Sequence, residues 1–298
     1  MSNFDDIFSG QGDKPRWNDQ PFDKEAWAAK KQEERKELYA LADSTATEVS
    51  KDGDKFRQYL DVQSRFSRYT PTNALLILAQ MPEATQLKDF DGWKEAGVSI
   101  QRKPKSVKIL EPGKEYDRED GTRGTSFEVK RVYDVSQTRG RVRSAPAVKL
   151  DDRVLLKALI HRTPVPIQTV DSLPNNRGAL YDHSQQVIFV CRGMGAEDIF
   201  RSVSKELAHA ELAGVRQDYN RSDAAFAAYS ASYLLCKRYG VDVSDYNFSR
   251  LPASFRESNP QQVRETLTEI RDIANQIATR MYRALEQNRT PKAKEQER

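Results

Sequence analysis

The residues of this chain best placed to do chemistry lie in Ile199 to Leu212, IFRSVSKELAHAEL. Ile199, Val203, Leu207 and Ala210 recur at helical spacing, which predicts an amphipathic helix carrying Lys205, Glu206 and His209 on its polar face. Metal hydrolases of the H-E-x-x-H type set two histidines four residues apart on one helical face, with the Glu between them as general base. Glu206 and His209 stand in the matching places, and Lys205 stands where the first histidine would be. An ammonium group has three donors and no lone pair, so ligating a metal at neutral pH would require it to lose a proton at a cost in free energy. Two readings follow: a metallopeptidase helix that has lost its metal, or an ordinary half-buried helix in which Glu-Leu-Ala-His arose by chance.

Elsewhere the chain is poor in metal ligands. It has three histidines, His161, His183 and His209, and its two cysteines, Cys191 and Cys236, form no C-x-x-C pair. They read as small buried apolar residues. A metallopeptidase alternative would need His209 with His161 or His183 as ligands and Glu206 as base, and nothing in the spacing brings those histidines to the helix.

A second group of residues, between Ser64 and Pro112, mixes cations with aromatic rings: Arg65, Arg68, Tyr69 and Trp93 precede Arg102, Lys103, Lys105 and Lys108. Single-stranded nucleic acids are bound by such mixtures, cations following phosphates and rings stacking bases at about 1–3 kcal/mol each. The competing reading puts Tyr69 and Trp93 in the core and leaves the lysines to solvate a hairpin. Asn73 is either a base or sugar contact or a buried hydrogen bond at a helix start.

The elements that must position these groups follow from periodicity and punctuation. Helices are expected over 24–46, 55–66, from Pro71 to Met81-Pro82, briefly around Phe90 and Trp93, and over 154–160. Further helices are expected over 199–212, over 223–239 with Ser222 as cap and Gly240 as stop, and as one long element after Pro260 with Val263, Leu267, Ile270, Ala274, Ile277, Met281 and Leu285 on its apolar face. Strands are expected at 98–100 and 107–109, joined as a basic hairpin, at 127–135, at 165–170, and as a pair turning at Asp182 to Gln185. Residues 114–126 read as an exposed loop. Residues 1–23 form a flexible arm, 24–145 a first domain, 150–288 a second, and 289–298 a charged tail.

Composition narrows the class. The net charge of +4 is the small difference between 48 basic and 44 acidic residues, so local clusters matter more than the sum. No apolar run is long enough to span a bilayer, and the acidic start MSNFDDIF is unlike a signal peptide, so a cytoplasmic protein with no membrane partner is expected.

Three pieces, in order, resemble the ArdC family of antirestriction and conjugation-associated proteins from bacterial mobile elements. SRYTPTNALLILAQMPEATQLKDFDGWKEAGVSIQRKPKSVKILEP resembles the N-terminal single-stranded-DNA-binding domain of that family, VYDVSQT the strand that closes it, and ALYDHSQQVIFV with SKELAHAEL the strands and active helix of its zincin-like metallopeptidase domain. The resemblance covers about residues 54–240 and implies an α+β fold, a single-stranded DNA partner bound through Arg65, Arg68, Tyr69, Asn73, Trp93, Arg102, Lys103, Lys105 and Lys108, and a place in antirestriction or conjugative transfer. This sequence departs from the family in its chemistry, with Lys205 at one ligand position and Tyr229 where an acidic third ligand is usual. His209 alone cannot hold zinc, since such sites need about three protein ligands. A catalytically inactive domain with vestigial Glu206 and His209, no cofactor and a possible protein-docking role is therefore expected, with a zinc metallopeptidase of unusual site or an interaction adaptor as alternatives.

Overall fold

The computed structural model describes residues 23–117, 121–140 and 150–295, without the side chains of Lys114 and of residues 288–295. Residues 1–22 of the expected arm, residues 141–149 around the expected domain boundary and the last three residues of the expected tail lie outside the described residues.

Helix α1 (Lys24–Lys51) is started by Asp23, whose carboxylate accepts the backbone N–H groups of Glu25 and Ala26. Asp52 repeats the device for α2 (Gly53–Arg65). At Gly53 a Cβ would stand 2.0 Å from the carbonyl oxygen of Phe248, so only glycine lets α2 begin this close to the later chain. Thr70 caps α3 (Pro71–Gln80), with proline in the first turn where its missing N–H costs nothing.

A three-stranded antiparallel sheet follows, in the order β1 (Leu87–Lys88), β4 (Arg123–Asp134), β3 (Val107–Asp117). The outer edge of β3 would leave backbone groups bare, and α3 covers it with two side-chain amides. Asn73 donates to the Leu110 carbonyl (2.8 Å) and accepts its N–H (2.9 Å); Gln80 treats Lys108 the same way (2.8 and 2.9 Å). Two amides thus act as a substitute strand on an edge that would otherwise need a partner. Between β1 and β3 lie the short helix α4 (Phe90–Glu95) and β2 (Ser99–Ile100).

Two expectations fail in this half. β2 pairs with β5 (Thr138–Arg139), so residues 101–106 form a connection between two small sheets, and the basic hairpin does not exist. Residues 114–126 belong largely to the β3–β4 hairpin, whose register continues through Glu115 opposite Thr125 and Asp117 opposite Arg123 after a bulge at Pro112. The charged alternation there lacks an apolar face, which is why it reads as loop.

The second half comprises α5 (Asp152–Leu159), β6 (Ile167–Val170), β7 (Ala179–Asp182) and β8 (Val187–Cys191), with β8 central, parallel to β6 and antiparallel to β7. Helices α6 (Ala196–Val215), α7 (Arg221–Tyr239), α8 (Ala253–Arg256) and α9 (Pro260–Glu295) complete it. Asn220 rather than Ser222 caps α7, and Gly240 ends it in the left-handed conformation at φ 72°. Residues 289–295 continue the backbone of α9 and are no separate tail.

No core boundary falls at residues 145–150. One continuous apolar cluster runs from Ala46 to Ala284, and Phe56 of α2 sits among Phe226, Phe248 and Phe255 with ring centroids 5.0–5.4 Å apart. Helix α9 is the shared wall: Arg271 donates to the carbonyl of Tyr69, Asn275 to that of Ser67, and Arg264 pairs with Asp43 of α1. Helices on either side of the expected boundary bury their apolar stripes against each other.

Candidate functional site

Helix α6 packs its length against β7, β8 and α7, which turns the expected polar face inward. Glu206 and His209 are 0 % and 2 % exposed, while Lys205 keeps its ammonium at the surface. A buried carboxylate needs partners, and Glu206 has them from two directions. The N–H of Tyr181 on β7 donates to Oε2 (2.8 Å), and one guanidinium nitrogen of Arg221 lies 2.8 Å from both carboxylate oxygens. The other donates to the Tyr181 carbonyl (3.3 Å), and Lys205 Nζ stands 3.9 Å from Oε1. Glu206 is therefore saturated and paired.

His209 is held through Nδ1 by the Tyr219 hydroxyl (3.0 Å). Burial, and then the cations Arg221, Lys205, Arg177 and Arg216, push its pKa down to about 3, so the ring is neutral at physiological pH. Burial likewise pushes the Tyr219 phenol up to about 12. His183 comes closer than its spacing suggested: its ring lies 4.9 Å from that of Tyr219, with Nδ1 3.2 Å from the Tyr181 hydroxyl. Tyr219 stands against both histidine rings. His161 closes the turn after α5, its N–H donating to the Ala158 carbonyl. Tyr229 turns toward Asn247, whose N–H its hydroxyl accepts at 2.8 Å, and packs on Tyr246 and Phe248. Cys236 is buried; Cys191 is half-buried, and both are free thiols.

Beside Glu206 and His209 opens a cleft of about 450 Å³ between α6, the start of α7 and the 247–252 segment. Arg177, Lys205, Arg221 and Arg250 line it together with Phe226, Tyr229 and Phe248. Arg221 and Tyr219 are the site residues that sequence reasoning missed. A signal existed for the first: Arg221 opens α7, where the helix dipole disfavours a cation, so a carboxylate elsewhere had to hold it.

The residues expected to meet single-stranded DNA divide into two groups. Trp93 is 0 % exposed and donates its indole N–H to the Tyr133 carbonyl (2.8 Å), so its ring is core and cannot stack a base. Asn73 is spent on Leu110, which settles its alternatives in favour of structure. Lys108 is ion-paired to Glu34 (2.9 Å), whose carboxyl that hydrogen bond holds below its usual range. Tyr69 is half-buried against Phe66. Arg65, Arg68, Arg102, Lys103 and Lys105 are exposed, and none is ion-paired to a described residue. Arg65 reaches the Pro82 carbonyl, Thr85 and Gln86 donate to Asp134, and Gln137 donates to the Lys105 carbonyl, which ties the Arg65 and Lys105 segments to the end of β4.

No protein-family model matches the sequence. Two crystal structures of the antirestriction protein ArdC from plasmid R388 superpose on the chain with a TM-score of 0.50 and 15% identity. The metal-free one is matched over 72% of this chain and 86% of its own length, the Mn(II)-bound one over 75% and 97%. This chain has an ArdC-like fold. A curated relative, the uncharacterized protein pXO2-81 of Bacillus anthracis, is 22% identical over 89% of this chain, which spans 56% of that protein's length.

A metal is thus part of one solved ArdC structure, and the residues here do not fit one. A divalent cation needs lone pairs from about three ligands, and no group of three or more His, Cys, Asp or Glu comes together among the described residues. Around Glu206 and the cleft stand an ammonium, a guanidinium already on Glu206, and a phenol bonded to backbone. The guanidinium of Arg221 supplies the positive charge beside the carboxylate.

Proposed function

We propose that this chain is a single-stranded-DNA-binding protein of a bacterial mobile element, of the antirestriction or conjugative-transfer type, whose metallopeptidase-like site does no hydrolysis. The ArdC-like fold and the relative in Bacillus anthracis support the setting. The observation that carries the binding reading is the set of exposed cations Arg65, Arg68, Arg102, Lys103 and Lys105 in the first half, none of them ion-paired to a described residue. Cations without carboxylate partners are the groups that gain from displacing phosphate counterions. Inactivity is supported by the pairing of Glu206 with Arg221: a general base must be free to take a proton from a metal-bound water, and this carboxylate is held by a guanidinium and a backbone N–H.

The test is a fluorescence anisotropy titration of the full chain with a labelled single-stranded oligonucleotide at several salt concentrations, competed by the matching duplex. Wild-type binding should be salt-sensitive and prefer the single strand. The double variant K103Q/K105Q should weaken it and reduce the slope of log K against log salt by about 1.4, since each single-strand phosphate left without its cation takes away about 0.7. Unchanged affinity in the double variant overturns this surface, and absence of binding at low salt leaves the interaction-adaptor reading in its place.

A further inference from the structure

The cleft beside Glu206 has a charge and a shape that neither peptide hydrolysis nor the exposed cations of the first half account for. Its four cations face one buried carboxylate, and Arg221 already matches that charge. Arg177, Lys205 and Arg250 remain: Arg177 and Arg250 are exposed and not ion-paired to any described residue, and Lys205 lies 3.9 Å from a carboxylate that Arg221 has satisfied. The buried polar group at the cleft points the same way. His209 is 2 % exposed and lines the cleft, and Tyr219 occupies its Nδ1. Its other ring nitrogen, Nε2, makes no hydrogen bond to a described residue and can meet a ligand.

Three uncompensated positive charges suit a dianion better than a single carboxylate; a phosphate monoester carries about −1.5 to −2 near pH 7. The cleft is also larger than a bare phosphate needs, and the half-buried rings of Phe226 and Tyr229 line it as well. Rings beside a phosphate subsite suit a base, which gains stacking energy of about 1–3 kcal/mol. We propose that the vestigial peptidase-like cleft is a nucleotide-binding site, with the phosphate against Lys205 and Arg250 and the base against Phe226 and Tyr229.

The nucleotide could be free or the end of a strand. Calorimetric titration of the full chain with thymidine 5′-monophosphate, inorganic phosphate and thymidine tests the site. The monophosphate should bind one to one, with phosphate and thymidine each at least tenfold weaker. K205Q and R250Q, substitutions of side chains at the surface of the cleft, should each weaken the monophosphate about tenfold, and Tyr229→Leu should weaken the monophosphate while sparing phosphate. The loop variant K103Q/K105Q should leave this binding unchanged, which separates a failure here from a failure of the strand-binding reading above. Displacement of the monophosphate by a 5′-phosphorylated oligonucleotide, more tightly than by the nucleotide itself, assigns the site to strand ends; weaker displacement assigns it to free nucleotide. Absence of monophosphate binding, binding undiminished in both K205Q and R250Q, or stoichiometric retention of zinc or manganese would overturn the proposal.

Discussion

Glu206 and Arg221 form the most consequential pair in the molecule, because a carboxylate with no exposure is tolerable only while its partner stays. Removing one member of such a pair costs about 3–5 kcal/mol, mostly as an uncompensated buried charge. Arg221→Met should therefore lower the denaturant midpoint sharply, and adding Glu206→Gln should recover much of the loss; chemical denaturation of the three proteins decides it. His209 gives a second prediction at this scale. The unfolded chain takes up its proton near pH 6.5 and the folded one only near 3, so unfolding draws in a proton anywhere between, and stability falls as pH drops below 6.5. The slope contributed approaches about 1.4 kcal/mol per pH unit, and should be missing between pH 6.5 and 5 from the same denaturation series on His209→Gln. The sequence made His209 and Glu206 visible through their spacing with Lys205. It hid Arg221, because fifteen residues separate the partners, and it could not separate a buried Trp93 from a stacking one, since a tryptophan beside lysines has the same composition either way.

Among elements, most helices and strands were legible because their apolar periodicity is strong, as in α3, α6 and α9. What was not legible was partnership. Ser99–Ile100 looks like one arm of a hairpin with Val107–Ile109, yet pairs with Thr138–Arg139, and no local signal distinguishes the two. The amides of α3 were likewise readable as polar residues and not as a cover for β3. Their contribution is open to measurement: Asn73→Ala leaves the N–H and C=O of Leu110 buried without partners, at about 1–3 kcal/mol each before relaxation. Its unfolding midpoint should fall by much more than that of Ser44→Ala, a change in an exposed side chain on α1, which sets the baseline for surface substitutions. Equal losses would mean that water replaces the amide without cost.

For the whole molecule, the shared core predicts that the two halves unfold together. Fluorescence of Trp93, buried in the first half, and far-UV circular dichroism, weighted by the helices of the second, should report coincident transitions in denaturant. Two separated transitions would restore the domain boundary that the sequence suggests near residue 145. Among the described residues no helix is long and apolar enough to cross a membrane.

The wall made by α9 also fixes an order of events in time. Its side chains reach back about two hundred residues, to Ser67 and Tyr69. During synthesis at about 5–20 residues per second, the ribosome adds those residues over about ten to forty seconds. Through that interval α1, α2 and α3 exist with part of their apolar surface uncovered. Contacts so distant in sequence close slowly, so the nascent first half has its longest exposure to chaperones and to aggregation just before the last helix arrives.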